Sequence, residues 1–305
     1  MNRRHFTTTL AAASALRAAD PLPVRALGKT GATVTLLGLG SAPIGAAGLT
    51  QADAYRTVGA VIDAGINYID TAPIYGSAEE RLGRALKGHR DKVFLVSKVE
   101  TTSKQDAAWQ IENSLRKLQT DHLDAVHIHN VGRTDRFPSL EVLLGEEGAL
   151  AALRDAKKKG QIRHIGMTCH LRPARALPVI ETGEIELVMC AANFVDRHTY
   201  NFEGTVFEAA RKRGLGVVAM KVLGGAEGEG AKLSAPEHYT NAVRYALGIP
   251  GLSVAIMGMK SPAEVELAVR TVKSYQPLAP AEVSRLESQG KEMARAWGPL
   301  RGPVA

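Results

Sequence analysis

The sequence predicts an α/β protein built as a single (β/α)₈ TIM barrel with an extra helix at its C-terminal end. Short apolar runs alternate with longer amphipathic segments eight times between residues 34 and 273. The apolar runs show little polar alternation, which is typical of parallel strands covered by helices on both faces. Eight successive right-handed β-then-α units close into a barrel more readily than they form an open sheet.

The individual elements follow from apolar periodicity, helix caps and glycines. Thr50 followed three residues later by Asp53 has the pattern of a helix N-terminus, and Gly65 and Gly160 are suited to end helices. The predicted strands are 34–39, 66–70, 93–98, 124–129, 162–167, 187–191, 215–220 and 252–257. The predicted barrel helices are 50–65, 79–86, 103–118, 148–159, 173–180, 205–213, 237–247 and 262–273, and the extra helix is 280–297.

Composition limits the class of protein. The chain has 305 residues, 45% of them hydrophobic and 23% charged, so one domain over residues 21–305 can bury a large core. No apolar run approaches the roughly 18 residues of a membrane span. The formal net charge is +7, but the basic residues are scattered without interleaved aromatics, which disfavours nucleic-acid binding. Two cysteines, Cys169 and Cys190, are too few for a disulfide scaffold, and we expect buried thiols.

The first 20 residues have a different character from the rest. Arg3-Arg4 precedes a mildly apolar stretch over residues 7–16, and small residues follow. This pattern is typical of a twin-arginine export signal, which predicts a periplasmic or otherwise exported protein that uses the twin-arginine export machinery. The alternative is a basic N-terminus without an address, in which case the protein is cytoplasmic.

Four polar residues stand at or just beyond the ends of neighbouring predicted strands. Asp70 ends the second strand, Tyr75 follows in the next loop, Lys98 ends the third strand and His129 ends the fourth. Catalytic groups of this fold lie where the strands end and the βα loops begin. We therefore expect the four side chains to converge on one point at the barrel mouth.

These residue types suit the reduction of a carbonyl group. When hydride reaches the carbonyl carbon, the oxygen develops negative charge and needs a proton, which Tyr75 can donate. A tyrosine with a pKa near 10 is a weak acid, and the Lys98 ammonium is expected to lower that pKa. Asp70 would hold Lys98 in place, and His129 would donate a hydrogen bond that orients the carbonyl oxygen.

At these residues the chain resembles the aldo-keto reductase family, in the manner of a divergent bacterial member. The resemblance covers residues 24–273, and its most specific stretch is residues 70–79 (DTAPIYGSAE) followed by 82–86 (LGRAL). Residues 114–118 (SLRKL) are similar to another family motif, and residues 25–31 (RALGKTG) are similar to the family's opening β-hairpin. The resemblance implies that Asp70, Tyr75, Lys98 and His129 are a catalytic tetrad acting on a small aldehyde or ketone, or on the alcohol in reverse.

The resemblance also implies a nicotinamide cofactor, NADPH or less often NADH, extended across the barrel mouth. Its nicotinamide would lie near strands five to seven, and its adenosine phosphate at the loop 258–261, where a helix N-terminus and Lys260 suit an anion. An exposed capping loop with an incidental lysine is the alternative. The expected cofactor-binding residues are Gly40, Ser41, Asp70, Thr168, Cys169, Met220, Lys221, Gly258, Lys260 and Glu264. The loop 130–147 and the segment around Trp297 are expected to shape the substrate pocket.

Several positions depart from the family pattern. Thr168 and Cys169 replace the Ser-Asn pair that often holds the nicotinamide carboxamide, and His170 follows them. Met189, or alternatively Cys190, stands where a glutamine is common, and Met220-Lys221 stands where an aromatic residue often stacks on the nicotinamide. A methionine still provides a soft apolar platform. The substrate-reducing chemistry is retained, while the carboxamide contacts differ from those of better-known members.

Two other functions are open from the sequence. His127 shares a strand face with His129, and together with Cys169 or His170 it suggests a metal-dependent barrel hydrolase. A hydrogen-bonded core histidine is the favoured interpretation of His127, because the metal site gives Tyr75 no role. The second alternative is a cofactor-binding subunit that senses redox state with little turnover. The Gly38-Leu39-Gly40 run does not indicate a Rossmann fold, since a proline follows where a helix should start.

Overall fold

Eight parallel strands form a closed barrel at the centre of the computed structural model, which describes residues 21–225 and 233–305. The barrel strands are hydrogen-bonded in chain order around the ring, and the last pairs with the first. The predicted (β/α)₈ TIM barrel is therefore confirmed. The proposed twin-arginine segment, residues 1–20, lies outside the described residues.

The strands are numbered in chain order. A two-stranded antiparallel hairpin precedes eight barrel strands. They are β1 (Val24–Ala26), β2 (Thr33–Thr35), β3 (Leu37–Gly40), β4 (Tyr68–Asp70), β5 (Phe94–Val99), β6 (Leu123–Ile128), β7 (Ile162–Cys169), β8 (Leu187–Ala191), β9 (Gly216–Met220) and β10 (Leu252–Gly258).

Helices follow the barrel strands on the outside. They are α1 (Gln51–Asp63), α2 (Ala78–Ala85), α3 (Lys104–Leu118), α4 (Leu140–Leu144), α5 (Ala149–Lys158), α6 (Ala176–Glu181), α7 (Glu208–Arg213), α8 (Pro236–Leu247), α9 (Pro262–Lys273) and α10 (Pro280–Trp297). The predicted cap of α1 is present, because the Thr50 side chain accepts from the Asp53 backbone and Asp53 accepts from the Thr50 backbone. Within the described part of the chain, no helix is long and apolar enough to cross a membrane.

The hairpin closes the bottom of the barrel, opposite the site described below. Leu27 and Val34 are fully buried and pack with the side chains inside the barrel. The tip of the hairpin lies against the start of β9 so closely that a Cβ on Gly28 would stand 2.3 Å from the Gly216 nitrogen. Gly28 also has φ +54°, so a side chain there meets both a steric and a backbone penalty.

Two apolar layers stabilise the fold. One fills the barrel interior and includes Tyr68, Val96 and Met189, with Tyr68 stacked on Phe94. The other lies between the strands and the helices, and it takes the alternate residues of each strand, such as Met167 and Cys190. Both faces of the sheet are buried, which explains why the strands read as continuous apolar runs.

Some predicted boundaries are wrong. The predicted first strand, 34–39, divides at Leu36, whose backbone N–H donates to Pro23; residues before it pair in the hairpin and residues after it enter the barrel. The predicted helix 205–213 begins with a π-helical turn, Glu203–Phe207, before α7. α4 was not predicted, because its five residues are too few to show a helical period.

Candidate active site

The four candidate catalytic side chains converge at the C-terminal end of the barrel, as the strand-end pattern predicts. Asp70 is the last residue of β4, Lys98 lies one residue before the end of β5, and His129 follows β6 directly. Tyr75 lies in the β4–α2 loop. Its ring lies edge-on to His129 with 6.1 Å between ring centroids, and the Lys98 ammonium stands 4.9 Å from the Tyr75 centroid.

Lys98 is fixed at the centre of this group. Its Nζ donates to Asp70 Oδ1 at 2.6 Å and to the Thr71 carbonyl at 2.7 Å, and both charged side chains are buried. Burial disfavours the ammonium, but the charges and hydrogen bonds of Asp70 and Tyr75 outweigh it and raise the pKa of Lys98. The site therefore keeps a positive charge beside the tyrosine across the physiological pH range.

The pKa of Tyr75 is raised overall, although Lys98 acts to lower it as expected. Burial of the phenol is the largest cause, and the charge of Lys98 opposes it without overcoming it. Desolvation disfavours a phenolate more strongly than a single neighbouring ammonium stabilises it. Tyr75 is therefore protonated in the resting site, which is the state that a proton donor requires.

His129 is neutral. Burial lowers the pKa of His129 well below its usual range, and the charge of Lys98 lowers it further. Its buried Nδ1 has no hydrogen-bond partner among the described residues. A neutral imidazole still donates one hydrogen bond through its single N–H, so it suits the orientation of a carbonyl oxygen.

Two glycines that sequence reasoning missed hold the tyrosine loop in place. A Cβ on Gly45 would stand 1.6 Å from the Tyr75 carbonyl oxygen, and a Cβ on Gly76 would stand 2.4 Å from the Gly45 carbonyl. Gly76 also has φ +57°. The β3–α1 loop and the β4–α2 loop thus touch backbone to backbone. Both glycines are visible in the sequence, but no local pattern there reveals that the two loops meet.

A cavity of about 260 Å³ opens beside the tetrad and is lined by Asp70, Tyr75, Met220 and Lys221, among others. A larger cavity of about 900 Å³ adjoins it and is lined by the predicted loop Gly258, Met259 and Lys260 and by Glu264. The residues Pro43, Leu223, Met257 and Gly258 line both cavities. The two cavities therefore form one continuous trough from the tetrad to the start of α9.

The trough fits an extended dinucleotide. Gly40 lines its inner end, and the neighbouring Ser41 hydroxyl is buried without a hydrogen-bond partner among the described residues. At the outer end Ser261 caps α9, while the Glu264 carboxylate accepts the Lys260 backbone N–H at 2.8 Å. One cation and one carboxylate therefore stand together where the adenosine phosphate is expected.

The residues after the fifth barrel strand are arranged differently from the expectation. β7 extends to Cys169, two residues beyond the predicted end, and the Cys169 thiol is turned into the layer between barrel and helices. The thiol donates to the Leu171 carbonyl at 3.0 Å, and burial raises its pKa to about 12. Cys169 is therefore not placed to contact a cofactor. Both cysteines are buried free thiols, as expected.

Thr168 lies on the other face of β7 and supports the mouth. Its hydroxyl accepts the Asn130 backbone N–H at 2.7 Å, and the Asn130 side chain accepts the His170 backbone N–H at 3.0 Å. Asn130 has φ 61°, a conformation that asparagine tolerates better than most residues. Thr168 and Asn130 thus set the position of the His170 ring.

His127 is buried inside the barrel, but it is not the hydrogen-bonded histidine that was favoured. Neither ring nitrogen has a partner among the described residues, and the ring packs against Gly166, where a Cβ would stand 2.4 Å from it. Burial, with Lys98 adding to the effect, lowers the pKa of His127 well below its usual range. Within residues 21–225 and 233–305, no three His, Cys, Asp or Glu side chains are grouped to hold a metal ion. Among these residues, the alternative of a metal-dependent hydrolase finds no group of three ligands around His127.

Comparison with known proteins agrees with this geometry. Residues 36–241 match the model of the Aldo/keto reductase family. The chain is 32% identical over 160 residues to L-galactose dehydrogenase of Arabidopsis thaliana, covering 48% of each protein. It is 39% identical over 111 residues to methylglyoxal reductase YeaE of Escherichia coli, covering 35% of this chain and 36% of the relative. The chain therefore spans about half of the length of the first of these relatives and about a third of the second.

The solved structure of an aldo-keto reductase from Bacillus halodurans, in its holo form, superimposes with a TM-score of 0.73 at 25% identity. The match covers 88% of this chain and 96% of that one. A family match over more than half of the chain, a shared barrel and a tetrad at its mouth point to the same conclusion. The chain belongs to the aldo/keto reductase family.

Proposed function

We propose that the protein is an NADP(H)-dependent oxidoreductase that reduces a small aldehyde or ketone, or oxidises the alcohol in reverse, with Tyr75 as the proton donor. The observation that carries this proposal is the buried Asp70–Lys98 ion pair beneath Tyr75, with His129 across from it. Two of the relatives, L-galactose dehydrogenase and methylglyoxal reductase, are named for small alcohol and carbonyl substrates, which is consistent with this proposal.

Each tetrad residue has a separate role in this proposal. Tyr75 releases its proton to the carbonyl oxygen as negative charge develops there. Lys98 stabilises the phenolate that this leaves behind, because it keeps its charge at 4.9 Å from the ring. Asp70 holds Lys98 in position, and neutral His129 donates to the carbonyl oxygen so that it faces the tyrosine.

The cofactor supplies the hydride that reaches the carbonyl carbon. Gly40, Ser41, Met220 and Lys221 would hold its nicotinamide half in the inner part of the trough. Lys260 and the N-terminus of α9 would receive the adenosine phosphate, which favours NADPH over NADH. The Glu264 carboxylate at the same helix end opposes that preference, so we expect it to be modest and NADH to bind as well.

A fluorescence titration with NADPH and with NADH tests the proposal, followed by oxidation of the bound cofactor with a panel of aldehydes. We expect micromolar binding, a preference for NADPH of roughly ten-fold or less, and turnover of at least one aldehyde. Cofactor binding without turnover across the panel would favour the redox-sensing alternative. Absence of binding to either nucleotide would contradict the proposal as a whole.

We also propose that the twin-arginine pattern exports the protein with its cofactor already bound. Twin-arginine export moves folded proteins, and the periplasm has no free pool of reduced nicotinamide. Fractionation of cells that express the full chain should give a shortened protein outside the cytoplasm, and Arg3→Lys/Arg4→Lys should retain it inside. A full-length cytoplasmic protein from the unaltered chain would contradict this proposal and leave the reductase activity unaffected.

A further inference from the structure

A second cavity, of about 500 Å³, opens at the barrel mouth on the side away from the cofactor trough. It is formed by the loop after β6, the loop after β7 and the C-terminal segment around residue 301. His170 and Lys221 line both this cavity and the catalytic one, so the two adjoin. We name this space the basic cavity; it is lined by Asn130, Arg133, Thr134, Asp135, His170, Leu171, Arg172, Lys221, Leu300, Arg301 and Pro303.

The charge of the lining distinguishes the basic cavity from the trough. Among the described residues that line it, four are cations, namely Arg133, Arg172, Lys221 and Arg301, and one is an acid, Asp135. Asp135 pairs with Arg133. The four lining cations outnumber the acids that pair with them, Asp135, Glu100 and Asp196, by one. This small excess of positive charge favours an anionic occupant.

Arg301 is the most enclosed of these cations. Its side chain is 7% exposed and pairs with Asp196 through one terminal nitrogen, while its buried Nε has no hydrogen-bond partner among the described residues. A buried guanidinium N–H without an acceptor is costly unless a ligand supplies one. Arg172 donates to the carbonyl oxygen of Gly132 and to a backbone oxygen of Ala305, the last residue of the sequence.

The basic cavity also has a direct geometric relation to the tetrad. The rings of Tyr75, His129 and His170 follow one another with centroid spacings of 6.1 and 6.0 Å, and His170 reaches the cavity wall. The His170 Nε2 is buried without a partner among the described residues. His170 thus stands between the tetrad and the basic cavity.

We infer that the substrate is an anionic carbonyl compound, an aldehyde or ketone whose carboxylate or phosphate group is held by Arg172 and Arg301 in the basic cavity. The planar guanidinium fork matches the oxygens of either anion. This inference rests on the proposed reductase function and adds a class of substrate to it. The anion contributes binding at a distance from the reacting carbon, so its effect falls mainly on KM.

Two matched pairs of aldehydes test the inference. Succinic semialdehyde is compared with butanal for the carboxylate, and glyceraldehyde 3-phosphate with glyceraldehyde for the phosphate. We expect kcat/KM to favour the anionic member of at least one pair by about ten-fold or more, since one charge-assisted contact is worth that much. The favoured pair identifies the anion, and high salt should reduce the preference.

Two variants connect the preference to the basic cavity. Arg172→Gln and Arg301→Gln should each lower kcat/KM for the anionic aldehyde by about ten- to hundred-fold, mainly through KM. Turnover of the neutral partner should change by less than about three-fold. Arg56→Gln, which removes one exposed guanidinium from α1, serves as the matched control. Arg172→Gln tests the inference independently if loss of the Arg301–Asp196 pair prevents folding.

The outcomes separate this inference from the function on which it rests. Equal reduction of neutral and anionic aldehydes, or an equal loss of both in the arginine variants, would overturn the anionic substrate and leave the reductase in place. In that case Arg172 and Arg301 serve only to attach the C-terminal segment to the barrel. Failure of every aldehyde to oxidise bound cofactor would overturn the reductase function itself.

Discussion

Tyr75→Phe should lower kcat for carbonyl reduction by about 10²- to 10⁴-fold while cofactor affinity changes little. The substitution removes only the hydroxyl, because phenylalanine keeps the edge contact with His129 and the Lys98 ammonium over its ring. The loss corresponds to about 3–5 kcal/mol of transition-state stabilisation. No other phenol is close enough to replace the proton donor among the described residues that line the catalytic cavity.

Single-turnover reduction of a preferred aldehyde, together with the fluorescence titration, measures both quantities in one preparation. Tyr55→Phe is a suitable control, since Tyr55 is an exposed phenol on α1 and should show wild-type values. Retention of more than about a tenth of the wild-type kcat in Tyr75→Phe would assign the proton to another donor. A parallel loss of cofactor affinity would instead indicate that the phenol holds the nucleotide.

The barrel was predictable because its signal is repeated. Eight apolar runs, each followed by a helix pattern with caps such as Thr50 and Asp53, leave few alternative folds. The tetrad was predictable for a related reason. The ends of parallel strands in a barrel meet at one rim, so polar residues at those ends converge even when they are far apart in the chain.

The features that the sequence did not reveal depend on how deeply a side chain is buried and on contacts between loops. No local sequence pattern shows how deeply Tyr75 is buried. Burial raises the pKa of Tyr75 even though the charge of Lys98 lowers it. The side chain of Cys169 points away from the mouth because β7 is two residues longer than predicted, and strand parity sets its face. The backbone contact of Gly45 with the tyrosine loop joins residues 30 apart with no shared motif.

The basic cavity is the clearest case of a site that is absent from the sequence pattern. Three of its four cations come from separate segments, around residues 133, 172 and 301, each of which alone has the pattern of an ordinary polar loop. The fourth, Lys221, follows β9. We expected the loop 130–147 and the C-terminal end to shape the substrate pocket. That expectation indicated the approximate location of the basic cavity. Its charge emerges only when the C-terminal segment packs on the loops after β6 and β7.

Lys98→Met should abolish most activity and lower the free energy of unfolding by about 3–5 kcal/mol at pH 7, because it leaves Asp70 buried without its partner. The pKa of Asp70 is already raised by burial, with Lys98 opposing, so removal of Lys98 raises it further. Loss of the ammonium also raises the pKa of Tyr75, so the alkaline limb of any residual kcat/KM profile should move to higher pH.

The pH dependence of stability tests whether Asp70 is the buried charge that Lys98→Met leaves without a partner. A group whose pKa is higher in the folded state than in the unfolded state loses stability as pH rises from the unfolded to the folded pKa. The stability deficit of Lys98→Met should therefore shrink as pH falls toward about 3.9, the pKa of an unperturbed aspartate. Urea unfolding of Lys98→Met and of the unaltered protein at pH 5 and pH 8 measures this stability deficit.

The double variant Asp70→Asn/Lys98→Met removes both charges and is the matched comparison. It should recover part of the lost stability and show no pH-dependent deficit over the same range, since no carboxylate remains at position 70. Its activity should stay low, because the ammonium that stabilises the Tyr75 phenolate is still missing. If the stability deficit of Lys98→Met is equal at pH 5 and pH 8, Asp70 stays hydrated or pairs with another cation. In that case the buried ion pair positions Lys98 for catalysis without being required for the fold.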